Sequence, residues 1–341
     1  MSAPPVAVII LSWNGRHFLE RFLPSVAATP YPAMRLVVAD NASTDGTAAW
    51  LKANFPNVEL LQLEKNYGFA EGYNQAIARV DTEFVVLLNQ DVETENDWIT
   101  PLVDALVENE NVAAVQPKIK ALLDKSKFEY AGAAGGLIDR FGYPFCYGRL
   151  LDYTEADNHQ FHQPVSIVWA SGACLLTRRS LYLEAGGLDA DLFAHMEEID
   201  LCWRFKNMGY DVCYVPDATV YHLGGGSLPQ GHARKVFLNF RNNLALLAKN
   251  YNAGSLFVLL FVRFWLDALA AIVFMLKGNF GNASAVVKAV IDFYRRLGGW
   301  LRKRNELKKR WRTVNRAGFY RYSILWDYYI RKARNFNQLR R

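Results

Sequence analysis

The stretch "FVVLLNQD", Phe84–Asp91, decides the fold. Five apolar, β-favouring residues run without alternation and then give way at once to Asn89, Gln90 and Asp91. A strand that is apolar on both faces belongs in a sheet covered on both sides. The same pattern occurs three times upstream, in "VAVIIL" (Val6–Leu11), "RLVVAD" (Arg35–Asp40) and "VELLQL" (Val58–Leu63). Polar turns and helix-like stretches, for example Asp45–Asn54 and Ala70–Arg79, separate these runs. Strands alternating with helices at this spacing predict an α/β domain with parallel strands. Ligands of such sheets bind beyond the carboxyl ends of the strands. The residues to watch are therefore Ser12–Gly15, Asp40–Ser43, Asn66–Asn74 and Asn89–Asp91. No G-x-G-x-x-G follows the first strand and no G-K-[ST] occurs, which argues against dinucleotide and P-loop sites.

Composition sets the outer bounds. The chain has 341 residues, 51 % of them apolar and 14 % aromatic, enough for a large core and incompatible with global disorder. Cys146, Cys174, Cys202 and Cys213 form no CxxC pair and no zinc-type spacing, as expected in a reducing compartment. The N-terminus lacks a basic leader and reads as a first strand. The net charge of +6 conceals an asymmetry. Residues 277–341 hold 18 Lys+Arg against 3 Asp+Glu, whereas residues 1–276 hold 21 against 30. An acidic body with a basic tail predicts a polyanionic partner for the tail alone, either nucleic acid or anionic membrane.

The stretch from about Lys120 to Pro164 is rich in Gly, Tyr and Asp and reads as an irregular insertion over the site. Order resumes at "IVWASGACLLT" (Ile167–Thr177), a strand interrupted by a turn of small residues, and at "DVCYVPDATVYHLGGGS" (Asp211–Ser227). Beyond Asn242 comes "SLFVLLFVRFWLDALAAIVFML" (Ser255–Leu276), 22 residues, long enough to cross a bilayer. Arg263 and Asp267 lie inside it at i, i+4, and a charge at the centre of a span costs about 2.5–3.5 kcal/mol or more. A single crossing would also place the basic tail opposite the main domain. An interfacial or re-entrant helix, followed by the basic aromatic stretch "VIDFYRRLGGWLRKR", fits better; a buried core helix with a solvated tail is the alternative. We therefore expect a catalytic domain over 1–244 and a membrane-association region over 245–341. The adjoining apolar stretch favours membrane over nucleic acid as the tail's partner.

Asp91, at the end of a strand, is placed to present a carboxylate to a hard divalent cation, which prefers oxygen ligands and retains water and phosphate. Capping of a following helix is its other ordinary role. Taken in order, "LSWNG", "ADNASTDG", "EKNYGFAEGYN", "LLNQDV", "SGACLLTRR", "MEEIDLCWR" and "VYHLGGGS" resemble the inverting family-2 glycosyltransferases of GT-A fold. The likeness is especially to bacterial rhamnosyltransferases and other O-antigen and cell-wall sugar transferases, and covers about Val6 to Leu244. It implies a mixed, Rossmann-like sheet with helices on both faces. Asp40 would accept a hydrogen bond from the pyrimidine of a dTDP- or UDP-sugar, with Ser12 and Asn14 beside the base or ribose. Asn66, Gly68 and Asn74 would line the nucleotide pocket. Asp91 matches the last carboxylate of the DXD signature, which binds Mg2+ or Mn2+ at the diphosphate; Asn89 stands where the first acid is usual. His222 matches the histidine that completes the metal site.

Transfer also needs a general base opposite the leaving group. "FAHMEEIDLCWRF" (Phe193–Phe205) supplies carboxylates at Glu197, Glu198 and Asp200. A helix from Met196 to Met208, stopped by Gly209, puts Glu197, Asp200 and Arg204 on one face and Glu198 with Leu201, Cys202 and Phe205 on the apolar face. A carboxylate turned inward needs a partner or a task, and the family's base falls on the same position, so Glu198 is the expected catalytic base. Glu197, Asp200 and Arg241 are expected around it. Arg234, Lys235 and Arg241 are candidates to stabilise the departing diphosphate, and Trp169 offers an aromatic face to the acceptor.

The resemblance implies single-displacement transfer of one sugar, rhamnose being the leading choice, to a hydroxyl of a lipid-linked glycan or other envelope saccharide on the cytoplasmic side of the membrane. A processive polysaccharide synthase would carry QxxRW, and a sugar nucleotidyltransferase a Gly-rich basic loop after the first strand; neither feature is present.

Overall fold

The structure, a computed structural model, describes residues 3–224 and 232–340. The chain opens with β1 (Val6–Ser12), α1 (Arg16–Ala27), β2 (Met34–Asp40), α2 (Thr47–Asn54), β3 (Glu59–Gln62), α3 (Gly68–Ala78) and β4 (Phe84–Leu88). These four strands are parallel, in the order β4-β1-β2-β3, and Ser12 lies in register with Asp40. The apolar strands are buried on both faces. Val6, Val8 and Ile10 of β1 join a core with Leu19 and Leu23 of α1, while Ala7 and Ile9 join a second core with Tyr73 and Ile77 of α3. Alternate residues serving two cores is the geometry of a pleated strand between helix layers.

Next come β5 (Val92–Thr94), α4 (Thr100–Glu108), β6 (Val112–Ala121), β7 (Asp124–Phe128), β8 (Gly136–Asp139), β9 (Pro144–Cys146), β10 (Arg149–Leu150), β11 (Tyr153–Thr154), β12 (Val165–Ile167) and β13 (Cys174–Arg178). The chain continues through α5 (Arg179–Glu184), α6 (Glu197–Asn207) and β14 (Asp211–His222). The sheet is mixed. β13 runs antiparallel to β4 and β6, and β14 runs parallel to β6, completing the order β12-β14-β6-β13-β4-β1-β2-β3.

The segment expected to be irregular is built differently. β8–β11 form a small second sheet whose far edge is β15 (Phe319–Tyr320), from the basic tail. Its strands are two to four residues long, too short to leave a period in the sequence. The rest of the chain is helical: α7 (Ala233–Asn250), α8 (Leu256–Leu276), α9 (Phe280–Arg295) and α10 (Leu297–Lys308). The boundary expected at residue 244 falls inside α7, where Leu244–Asn250 are buried. The tail then folds back to pair Phe319 with Ile138. Backbone pairing ties residues 245–340 to the main domain, and no composition shift reveals such a tie.

Candidate functional site

The carboxyl ends of β1, β2 and β4 converge with the end of β14. The Ser12 hydroxyl donates to Gln90 Oε1 (2.9 Å). Gly15 leaves room for this crossing: a Cβ there would lie 1.9 Å from Gln90 Oε1 and 2.7 Å from Ser12 Oγ and would displace the Gln90 side chain. Asp40 is buried and its Oδ1 accepts from Ser43 N–H (3.1 Å). Asn14, at positive φ, accepts from Thr44 N–H through Oδ1 (2.8 Å), and its own N–H donates to Ser43 Oγ (2.9 Å). Asn41, which the sequence reading passed over, binds Asn66 Oδ1 (3.0 Å), Gly68 O and Tyr67 N–H through both ends of its amide. It thereby shapes the loop bearing Asn66 and Gly68. Asn74 does not face this pocket: its Oδ1 accepts from the Tyr182 hydroxyl (2.7 Å) and Leu188 N–H, and its amide donates to Leu188 O. Apart from a 3.3 Å contact to Glu71 Oε2, its bonding pins α5 and the chain that follows it.

Asp91 and His222 meet as expected, with His222 Nε2 3.2 Å from Asp91 Oδ1 and 3.4 Å from Asn89 Nδ2. Behind the ring, Nδ1 lies 3.5 Å from Glu129 Oε2. All three titratable residues are buried. Burial alone would depress the imidazole, but the two carboxylates outweigh it and push His222 up to about 10. Without a cation the ring is held protonated between the two carboxylates. A cation at Nε2 would displace that proton, with Glu129 behind Nδ1 as carboxylates commonly stand behind metal-binding histidines. Asp91 and His222 thus fit a divalent cation whose remaining positions are filled by water and phosphate oxygens. Among the described residues no cluster of three His, Cys, Asp or Glu forms a complete protein cage. Glu129 carried no signal in the sequence, lying 93 residues from His222 in a stretch without a period. Of the three glycines after His222, Gly225 and Gly226 lie outside the described residues.

The acidic helix abuts this edge. Asn89 N–H donates to Ala173 O (3.0 Å), and the neighbouring Gly172 N–H donates to the Glu198 carboxylate at the start of α6. Burial pushes Glu198 up to about 7, against hydrogen bonds from the backbone N–H groups of Glu198, Ile199 and Gly172. Glu197 is raised well above the ordinary value, by burial first and the Glu198 charge second, and its Oε2 is unpartnered. Asp200 is the opposite case: burial works against its charge, yet Lys249 and Arg204 hold it below the usual range. Arg204 Nε lies 2.9 Å and Lys249 Nζ 2.8 Å from Asp200 Oδ2.

Helical phase does not sort these acids as expected. Nearly every residue of α6 is buried, so there is no solvated face for Glu197 and Asp200, and Glu198 is the most accessible of the three. The helix is enclosed because α7 covers the side that would otherwise meet water, a contact set by tertiary packing.

The approach to α6 is strained: Phe193, His195 and Met196 all have φ near +70°, a region that costs a non-glycine residue about 1–3 kcal/mol. Asn242 of α7 holds this segment, its Nδ2 donating to the carbonyls of Leu192 (2.9 Å), Ala194 (2.9 Å) and His195 (2.7 Å). Arg241 donates to Asn242 Oδ1 through Nε (2.8 Å) and to Leu192 O through Nη2 (2.9 Å). Arg241 is thus occupied in bracing the loop and is not turned to a leaving group. Lys235 remains at the site, where its charge joins burial in lowering His195 to about 4. Trp169 is a core residue: it is 4 % exposed, its Nε1 donates to Leu137 O (3.0 Å), and its ring fills the space over Gly136. Exposed aromatics at this edge are Trp13, beside Asn14, and Phe193, beside Gly68.

Comparison with known proteins identifies the family and the fold. The pattern of glycosyl transferase family 2 matches residues 7–182. The N-acetylglucosaminyl-diphospho-decaprenol L-rhamnosyltransferase of Mycobacterium tuberculosis is 29 % identical over 261 residues, covering 72 % of this chain and 84 % of the relative. The low-salt glycan biosynthesis hexosyltransferase of Haloferax volcanii is 23 % identical, covering 72 % and 75 %. The mannosyltransferase PcManGT from Pyrobaculum calidifontis, in complex with GDP-Man and Mn2+, superposes with a TM-score of 0.53 at 18 % identity, over 90 % of this chain and 86 % of the other. At that identity the likeness speaks for the fold, which is GT-A.

Proposed function

The chain belongs to glycosyl transferase family 2 and is a glycosyltransferase; from that premise we propose that it moves one sugar, with inversion, from a dTDP- or UDP-sugar to a hydroxyl of a lipid-linked glycan. The observation that carries this reading is Glu198, a carboxylate of raised basicity held by Gly172 next to the strand end that bears Asp91. Rhamnose is the leading donor sugar, because the mycobacterial relative's name specifies L-rhamnosyl transfer to a decaprenol-linked acceptor.

Ser12, Asn14, Asp40, Asn66, Gly68 and Asn89 receive the nucleotide and its diphosphate. Asp91 and His222 would hold Mg2+ or Mn2+, which when bound would supply positive charge to the diphosphate. Glu198 takes the proton of the acceptor hydroxyl as its oxygen bonds to the anomeric carbon. The bond from that carbon to the phosphate oxygen breaks, and its electron pair leaves with the nucleoside diphosphate. One in-line displacement of this kind inverts the anomeric centre. Lys235 stands by the same edge to stabilise the leaving group. The helical region α8–α10, with its exposed apolar and basic residues, docks the enzyme on the cytoplasmic face of an anionic membrane, where a lipid-linked acceptor resides.

A panel of nucleotide sugars, scored by thermal stabilisation with Mn2+ and again in EDTA, tests the donor and the cation together. One dTDP- or UDP-sugar is expected to stabilise the protein by several degrees with metal, and most of that shift should vanish with chelator. Equal stabilisation in EDTA would remove Asp91 and His222 from a metal role.

A further inference from the structure

α8 is the one described helix long and apolar enough to cross a membrane, yet its charges are committed to the protein. Arg263 and Asp267 are buried and lie 3.3 Å apart. Arg263 also donates to Phe141 O (2.9 Å) and to Asn243, and stacks 4.0 Å over the Tyr143 ring; the Tyr143 hydroxyl donates to Asp267 (3.2 Å). Leu256, Leu259, Leu260, Arg263, Asp267 and Ala271 form the inward face, at the spacing of one helical stripe. The opposite face carries Phe257, Phe261, Trp265, Leu269 and Leu276, 56–82 % exposed. A continuous apolar surface of this kind marks an interaction site.

Beside the start of α8 opens a cavity of about 640 Å³. One wall is apolar: Val258, Leu259 and Val262 of α8 with Phe319. Arg140, Arg316 and Arg321, all exposed, line the same cavity. Arg316 donates only to Asn252 O (3.3 Å), Arg140 lies over the Phe141 ring, and no carboxylate pairs with any of the three among the described residues. The acid in the floor, Asp139, is spent on the N–H groups of Phe141, Tyr143 and Ile324 (2.9 Å each). Three arginines without a carboxylate partner, lining one cavity together with an apolar wall, match one ligand chemistry. Arginine forks bind phosphate oxygens, and the wall, continuous with the outward face of α8, accepts a hydrocarbon chain.

We propose that this cavity binds the phosphate head of a long-chain lipid, setting the depth at which α8 lies on the bilayer. The inference rests on the membrane docking proposed above and adds a specific head-group site to it. The phosphate belongs either to a bilayer phospholipid or to a polyprenyl carrier; the chemistry is shared.

The test uses the full chain in nonionic detergent, with EDTA and excess nucleoside diphosphate present so that the donor site is not counted. Dihexanoyl phosphatidic acid and farnesyl diphosphate are titrated calorimetrically against the wild type, the triple variant Arg140→Gln/Arg316→Gln/Arg321→Gln, and Val262→Trp, which narrows the cavity without touching charge. At least tenfold weaker binding of the preferred probe is expected in the triple variant, and weaker binding again in Val262→Trp. Equal affinity in wild type and both variants overturns the proposal, as does absence of binding by the wild type. Should the triple variant not fold, Val262→Trp and Arg321→Gln alone decide. Preference for farnesyl diphosphate, with a raised acceptor KM in the variants, assigns the site to the carrier; preference for phosphatidic acid, with acceptor KM unchanged, assigns it to the bilayer. Co-sedimentation with anionic phosphatidylglycerol vesicles separates the two readings. Wild type that stays soluble while still binding a probe breaks the membrane reading alone, and variants that pellet normally while probe affinity is unchanged break only the cavity.

Discussion

α6 and α8 each bury an acid–arginine pair one helical turn apart, and they use it to different ends. In α6 the acid precedes the arginine, Asp200 to Arg204, the order that the helix dipole favours. Lys249 and Asn250 complete the shell of Asp200. In α8 the order is reversed, Arg263 to Asp267, and Tyr143, Asn243 and Phe141 complete the shell. What separates the helices is the remainder. Beyond its pair, α6 carries Glu197 and Glu198 with no cation beside them, and both are pushed towards protonation. α8 carries no further charge. In α8 burial also raises Asp267, and Arg263 Nε and Asp267 Oδ2 have no hydrogen-bond partner, but acid and arginine balance each other and the pair serves architecture. The surplus acid of α6 has no such balance and is where the proposed chemistry would sit.

The largest effect should come from the surplus. Glu198→Gln is expected to lower kcat by about 10²–10⁴-fold while donor binding persists. Wild-type kcat should rise about tenfold per pH unit on the acid side and level off above about 7, since the base acts only when deprotonated. Near-wild-type turnover in the variant, or a flat profile, would end the contrast between the two helices.

Next in size is the matched pair of α8. Arg263→Ala leaves Asp267 buried without its partner and should cost about 3–5 kcal/mol in chemical denaturation, whereas Arg263→Met/Asp267→Leu should recover most of that. Recovery of stability with normal turnover would sharpen the reading of this pair as architecture; lost turnover in the stable double variant would tie α8 to catalysis.

Smaller again is the effect of removing the brace on the approach to α6. Asn242→Ala frees the carbonyls of Leu192, Ala194 and His195 and lets the left-handed residues relax. A fall in kcat of about 10- to 100-fold with donor KM unchanged is expected, as for displacement of a catalytic group by a fraction of an ångström to an ångström. Parallel loss of donor affinity would show that Asn242 serves the whole domain and not the base.

How much of this was legible beforehand depended on how local the cause was. The first four strands, their parallel order and the polar residues at their ends follow from runs of apolar residues and the turns after them, because a strand between two helix layers must be apolar on both faces. Asp91 and His222 could be paired on paper because both match motifs of the family the sequence resembles. Glu129 could not, since its place behind His222 depends on a loop without a period. Trp169 and Asn74 misled for a related reason: residue type suggests what a side chain can do, but neighbours decide what it is spent on, here Leu137 O and the chain at Tyr182 and Leu188.

The sequence by itself determined the α/β class, the family, the acidic helix and the awkwardness of Arg263 and Asp267 in an apolar run. Only the tertiary structure decided that α6 is enclosed on all sides, that the basic tail returns to pair with β8, and that α8 turns its charges inward. Periodicity reports the one face a lone element must hide. Burial on a second face, and the partner that accepts a charge, come from elements tens of residues or more away in the chain or on a different sheet, and those contacts leave no local pattern.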